Sequence, residues 1–153
     1  QHIGPFLLDA VNPAGPTNLA SPSHAVGTWS NLATVQATWT AATDAHSGIA
    51  GYDSLWDNAA GTVPAGALDL VAGATATNRS LPSGPSDWYL HLRARDQAGN
   101  WGAAQHLGPF RIDTAAPTGS IAIDGGNATC NTLSVNLSLT AADALSGLAP
   151  TSI

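Results

Sequence analysis

Three aspartates that open turn-like sequences carry the carboxylates best placed to do chemistry in this chain. Asp44 begins the run DAHSG, Asp96 begins DQAGN and Asp113 begins DTAAP. Loop carboxylates supply the oxygen ligands that Ca²⁺ prefers, so all three aspartates are calcium candidates. An aspartate in a turn also accepts backbone N–H groups of that turn, and two carboxylates do not fill the roughly six or more positions around Ca²⁺. We therefore expect turn capping, with no resident metal and no cofactor.

Two of the five tryptophans, Trp29 and Trp101, lie near predicted loops and are candidates for a ligand platform. Exposed aromatic faces can stack on sugar rings, which is how such a platform would bind carbohydrate. The other tryptophans have strand phases that face a core. Core packing or shielding of strand ends is the alternative use of Trp29 and Trp101, and it is the one we expect.

No catalytic residue is indicated by the sequence. Serine, histidine and aspartate all occur, but no Gly-x-Ser-x-Gly elbow does,. The absence of Lys and Glu excludes a P-loop, a lysine Schiff base and the HExxH zinc motif,. No two of the five histidines have ligand spacing on one element, so zinc is not expected,. The sequence predicts a protein that is not an enzyme.

The charge and composition argue against nucleic-acid partners, a membrane span and a helical fold. Ten acidic residues against four arginines give a net charge of −6, which argues against nucleic acid,. No apolar run approaches the roughly 18 residues of a membrane span. Strong helix formers are missing, whereas Thr, Val, Ser and Gly are abundant, so strands and turns are favoured over helices.

An internal repeat predicts the domain organisation. Gln1–Asp9 returns as Gln105–Asp113, and the echo of Trp39–Ala50 at Leu139–Ala149 keeps the same order. Two ordered matches about 100 residues apart indicate tandem modules. We therefore divide the chain into the final strand of one module (1–9), a complete module (10–113) and the first strands of another (114–153).

Short connectors separate the predicted modules. Asp9 to Pro13 and Asp113 to Pro117 share an aspartate followed four residues later by proline. Proline fixes its own φ and drives the preceding residue towards extended conformations. Each connector should therefore act as a stiff spacer and not as a flexible tether.

Residues 10–113 have the pattern of an all-β, Greek-key β-sandwich. The clearest strand is Trp88-x-Leu90-x-Leu92-x-Ala94, which alternates apolar and polar side chains. Period-two alternation is typical of a half-buried antiparallel strand. Val35, Trp39, Leu90, Leu92 and Ala94 share one phase and are predicted to form the core. About seven short strands without a convincing helix favour a sandwich.

At these residues the chain resembles a fibronectin type III module. The resemblance rests on Val35–Trp39 as V-x-x-x-W, on Ile49–Tyr52 as I-x-G-Y, and on Leu81 before the strand Trp88–Ala94. Trp88 stands where the family usually has its corner tyrosine. The DxxSG and DxAGN turns are similar to those of tandem Ig-like repeats on bacterial surface proteins and secreted enzymes. The resemblance implies a fibronectin III-like or Ig-like module in a tandem array.

These observations predict a non-catalytic spacer or structural module of a secreted or cell-surface protein with several modules. The alternative is a carbohydrate- or ligand-binding accessory module of a secreted enzyme or adhesin. Sequons at Asn78, Asn127 and Asn136 permit an extracellular location, and Cys130, the only cysteine, cannot form an internal disulfide,. Neighbouring modules are the expected partners.

Residues 114–153 should hold only part of a module. Ile121–Ile123 and Leu133–Leu139 are predicted as two strands, with Leu148 beginning the next. Two strands cannot close a sandwich, so this segment should be disordered alone or ordered by something outside it. The expected partner is the C-terminal half of the same module in a longer chain. The alternative is self-assembly, in which Gln1–Asp9 of another copy pairs with the free strand edge.

Overall fold

The computed structural model describes residues 3–149, which are 41% strand. Gln1 and His2 of the predicted final strand, and the last four residues of the predicted third module, lie outside the described residues. The strands are β1 (Thr17–Ala20), β2 (Trp29–Ser30), β3 (Thr34–Thr40), β4 (Ile49–Asp57), β5 (Leu70–Val71), β6 (Ala76–Ser80), β7 (Trp88–Asp96), β8 (Gln105–Ile112), β9 (Thr118–Ile123) and β10 (Leu137–Ala142). A 3₁₀ turn at Asp124–Gly126 is the one helical segment among these residues. None of the described residues form a helix long and apolar enough to cross a membrane.

Strands β1 to β8 form two sheets that share a core. One sheet has the order β1-β3-β6 and the other the order β2-β8-β7-β4-β5, with β2 parallel to β8 and the other neighbours antiparallel. Val35 from the first sheet packs in one apolar cluster with Leu90 and Phe110 from the second. Two sheets joined by one apolar layer make an architecture compatible with a β-sandwich, as the sequence predicts,.

Strand β7 shows how the alternation builds the core. Leu90, Leu92 and Ala94 are fully buried on its inner face. Trp39 of β3 is only 5% exposed, and its ring lies edge-on to Tyr52 with 5.9 Å between centroids. The predicted core is therefore confirmed at these positions. Trp88, also predicted to face the core, is half-buried and packs against the margin of the cluster.

The outer face of the five-stranded sheet is covered by the segment 58–69. The Asp53 Oδ2 on β4 accepts hydrogen bonds from the backbone N–H groups of Gly66 (2.5 Å) and Ala67 (3.0 Å). His91 points outward from the core as its phase predicts, yet it is fully buried. The outward face of β7 is thus buried at His91 and partly buried at Tyr89, Arg93 and Arg95.

Strands β9 and β10 form a separate antiparallel hairpin. Its apolar side chains are exposed, with Ile121 at 64% and Leu139 at 69%. The second strand begins at Leu137 and not at Leu133, because hydrogen bonds within 130–134 hold that stretch in local turns. Leu148, predicted to open a further strand, lies in none of the described strands, and neither do residues 3–9.

Candidate functional site

The Asp44 side chain organises the loop that follows β3. Its Oδ1 accepts hydrogen bonds from the backbone N–H groups of His46 (3.0 Å), Ser47 (2.9 Å) and Gly48 (2.9 Å). Gly48 has a φ of 79°, a conformation that favours glycine, which explains the glycine of the DAHSG run,. Asp44 therefore caps its own turn.

Asp96 does the same for the loop that follows β7. Its Oδ1 accepts from the backbone N–H groups of Gly99 (2.7 Å) and Asn100 (2.8 Å), and its Oδ2 accepts from Asn100 Nδ2 (2.8 Å). The residue is 1% exposed, so these bonds replace the water that the buried carboxylate has lost,. The aspartate and asparagine of the DQAGN run thus form one hydrogen-bonded unit.

The first connector, residues 9–13, is held by both of these turns. Asp9 Oδ2 accepts from the Ser47 N–H (3.1 Å), and its Oδ1 accepts from the Val11 N–H (3.0 Å). Asn100 Nδ2 in turn donates to the carbonyl oxygens of Asp9 (3.2 Å) and Val11 (3.3 Å). A hydrogen bond from Ser47 is the main cause that lowers the pKa of Asp9.

Three carboxylates converge at this connector. Asp9, Asp44 and Asp96 each place one ligand oxygen within 4.8 Å of the others. An all-oxygen set of this kind is what Ca²⁺ takes, so these are the residues that could hold a cation. The sequence indicated Asp44 and Asp96 but missed Asp9. The repeat carried the missing signal, because Asp9 corresponds to Asp113.

The second connector, residues 113–117, repeats the arrangement. Asp113 Oδ2 accepts from the Ser146 N–H (3.0 Å), and its Oδ1 accepts from the Ala115 N–H (2.9 Å). Asp143 caps the turn that contains Ser146 by accepting from the Gly147 N–H (2.9 Å), and Gly147 has a φ of 74°. A hydrogen bond from Ser146 is again the main cause that lowers the pKa of Asp113.

The structure separates Asp113 from the other two calcium candidates. Asp113 follows the end of β8, whereas Asp96 ends β7, and these two strands are antiparallel. The two aspartates therefore lie at opposite ends of the sheet. Asp113 is part of the second connector, whereas Asp44 and Asp96 cap the two turns that hold the first.

The two platform tryptophans are also separated. Trp29 lies opposite Arg111 at the end of β8, and Trp101 bridges to Arg95 at the end of β7. Guanidinium groups of Arg93 and Arg95 lie 5.0 and 5.6 Å from the Trp101 ring centroid. The two rings do not make a common face, and Trp101 is already occupied by cation–π contacts.

The histidines form no catalytic triad among the described residues. His24 is buried, and its ring nitrogens bond to the Ser23 hydroxyl and the Leu32 carbonyl. His46 is exposed. His91 does meet a carboxylate, with its Nε2 3.0 Å from Asp57 Oδ1, but its other nitrogen faces His106 and not a nucleophile. Sequence spacing missed this group because β7 and β8 bring together residues from two elements.

Comparisons with known proteins do not name a family. No model of a known protein family matches the chain, and no curated protein matches it significantly.

Proposed function

We propose that this chain is part of a non-catalytic spacer in a secreted or cell-surface protein, built from β-sandwich modules that are joined by stiff connectors. The observation that carries the proposal is one hydrogen bond made twice. Asp9 accepts from Ser47 at the first connector, and Asp113 accepts from Ser146 at the second. In both cases the connector bonds to an aspartate-capped turn of the module that comes after it. A repeated, fixed junction requires such a bond.

Strand register supports reading residues 114–149 as the start of a second module. Ala14, one residue after Pro13, pairs with Thr43, one residue before Asp44. In the hairpin, Thr118 follows Pro117 and pairs with Ala142, which precedes Asp143. Three residues further on, position 17 lies opposite position 40, and position 121 lies opposite position 139. A one-residue slip would exchange the two faces, so the shared register supports a repeated fold.

The sheet order supports an Ig-like or fibronectin III-like module. A G-F-C sheet with an added strand at each edge, facing an A-B-E sheet in a Greek-key sandwich, would have the order β2-β8-β7-β4-β5 facing β1-β3-β6, which is the order of the strands here,. The I-x-G-Y motif also has a physical reason. A Cβ on Gly51 would lie 2.5 Å from the Leu70 carbonyl oxygen, so glycine lets β5 approach β4.

An extracellular location is supported by the surface. The sequon residues Asn78, Asn127 and Asn136 are all exposed, so each could accept a glycan,. The carbohydrate-binding alternative has less support, because Trp29 and Trp101 lie at opposite ends of the sheet and form no platform. Binding to a panel of oligosaccharides that is lost in Trp101→Ala would favour that alternative over the spacer.

Arrays of increasing length test the spacer. Two, three and four copies of residues 10–113 in series place Asp113 directly before Ala10, which reproduces the sequence of the first connector. Small-angle X-ray scattering should show a maximum dimension that rises by a constant increment with each copy. The matched array with alanine at the linker aspartate should be shorter for the same copy number. Growth close to the square root of copy number in the unsubstituted array, as for flexible linkers, would contradict the proposal.

A further inference from the structure

Two histidines on neighbouring strands point a ring nitrogen at each other. His91 of β7 and His106 of β8 are partners in register. Their Nδ1 atoms are 2.7 Å apart, and their ring centroids are 4.9 Å apart at an interplanar angle of 70°. The pair lies on the outer face of the five-stranded sheet, away from the carboxylates of both connectors.

The hydrogen bond to Asp57 fixes the position of one proton on His91. His91 Nε2 lies 3.0 Å from Asp57 Oδ1, and because an ionised carboxylate only accepts, Nε2 is the protonated nitrogen,. In the neutral form of His91, the other nitrogen, Nδ1, presents a lone pair. His106 Nδ1 then donates the proton that lies between the two rings.

We propose that His91 and His106 form a binding site for a divalent transition cation of the class that prefers imidazole, such as Zn²⁺, Ni²⁺ or Cu²⁺. The cation would take the place of the shared proton in linking the two Nδ1 atoms. Metal–nitrogen bonds of about 2.0–2.1 Å place two ligand nitrogens of a tetrahedral Zn²⁺ roughly 3.4 Å apart. The exposed His106 ring therefore has to turn and move away from His91, by roughly 0.7 Å, so that both Nδ1 lone pairs point at the cation and no longer at each other.

The surroundings suit a metal ligand pair. A ligating histidine usually donates its second N–H to a carboxylate, which fixes the ring and raises its basicity, and Asp57 does this for His91,. Tyr89 stacks on the His91 ring with 6.4 Å between centroids and supports its orientation. The guanidinium of Arg93, the nearest arginine along β7, lies over the Trp101 ring and donates to the Gly102 carbonyl.

Access and proton balance are both satisfied. His91 is fully buried, but His106 is exposed, so the cation can enter from the His106 side and keep water in its remaining positions. The proton leaves His106 Nδ1 to solvent, and solvent returns one to His106 Nε2. Both imidazoles stay neutral, and the cation gains two nitrogen ligands with no net release of protons from the neutral pair.

Calorimetric titration of the full chain with Zn²⁺ at pH 7.5 tests the site. All variants carry Cys130→Ser, because the exposed thiol is a ligand for the same cations,. His106→Gln should weaken the binding at least tenfold, and His46→Gln, which removes an exposed histidine elsewhere, should leave it within twofold. Zn²⁺ should also shift the imidazole ¹⁵N resonances of the Nδ1 atoms of both His91 and His106.

Several results would overturn the site. These are no binding in the Cys130→Ser chain, equal affinity in His106→Gln, or ¹⁵N shifts confined to His46. Because His91 is buried, His91→Gln could fail to fold, so the conclusion rests on His106→Gln and on the spectra of the unsubstituted histidines. An unchanged melting temperature of His106→Gln without metal would show that its fold is intact.

Discussion

Single aspartates arrange the backbone of this protein at its turns and connectors. The carboxylates of Asp9, Asp44, Asp96, Asp113 and Asp143 all accept N–H groups of nearby loops, and no glutamate occurs in the chain. A short carboxylate reaches the N–H groups two to four residues ahead of it, which is why aspartate suits such turns. The sequence can therefore predict such turn caps, because each aspartate and the N–H groups that it accepts lie within four residues of each other.

Asp44 tests this use of aspartate. Asp44→Ala removes an acceptor for three N–H groups and should lower the free energy of unfolding by about 1–3 kcal/mol. Asp44→Asn keeps an acceptor oxygen and should cost less than half as much. Urea denaturation measures both.

Chelator should leave the melting temperature of the unsubstituted chain unchanged, whereas a drop of several degrees that Ca²⁺ restores would show that the carboxylates hold a cation.

Asp87 should make stability depend on pH. The Arg111 guanidinium, with Nε 2.7 Å from Asp87 Oδ1, lowers the pKa of that carboxyl below its usual range. A lowered folded-state pKa stabilises the fold above about pH 4 and loses that contribution as the pH falls through the folded-state value. Asp87→Asn should therefore be less stable than the unsubstituted chain at pH 7 and equal to it near pH 2. A difference that persists at pH 2 would assign the effect to packing.

At the scale of the strands, the sequence predicts which face of a strand packs in the core, but not whether the opposite face is covered. The alternation of β7 predicts that Leu90 and Leu92 are buried, because a strand places alternate side chains on one face,. The same alternation cannot show that His91, on the other face, is covered as well. That burial depends on contacts with Asp57 of β4 and His106 of β8, which the alternation of a single strand cannot reveal. Asp57, His91 and His106 meet only after three strands have folded together.

Trp39 tests the core at the scale of the sheets. Trp39→Ala deletes a ring that is 5% exposed and lies against Tyr52, and it should cost about 3–5 kcal/mol. Val71→Ala, at a site that is 76% exposed on edge strand β5, should change stability by less than about 0.5 kcal/mol,. Thermal melts followed by circular dichroism compare the two. An unchanged melt of Trp39→Ala would remove this residue from the core.

The hairpin β9–β10 should be the least stable element. Its apolar residues are exposed and no second sheet covers it within residues 3–149, and an isolated hairpin is marginal in water,. Amide hydrogens of β9 and β10 should exchange much faster than those of β7 and β8 at low protein concentration. Strong protection of Leu137–Leu139 in a proven monomer would contradict this expectation. Protection that appears only at high concentration would favour pairing with a neighbouring chain.

At the scale of the whole molecule, the connectors decide what the chain can do as a spacer. Sequence reasoning predicts stiffness from Pro13 and Pro117, which restrict the local backbone. It does not predict that Asp9 and Asp113 reach the turns at Ser47 and Ser146, because these contacts depend on how β3 and β10 position the turns that follow them. Proline limits the path of a connector, and the aspartate bonds fix that path against the sandwich.

The most direct test of this account is the order of the first connector in solution. ¹⁵N relaxation should give residues 9–12 order parameters close to the value of about 0.85 typical of rigid backbone, and Asp9→Ala should lower them towards about 0.6. Asp124→Ala, which removes an aspartate outside the first connector, should leave them unchanged. Order parameters below about 0.6 for residues 9–12 in the unsubstituted chain, or no response to Asp9→Ala, would contradict a junction held by this aspartate.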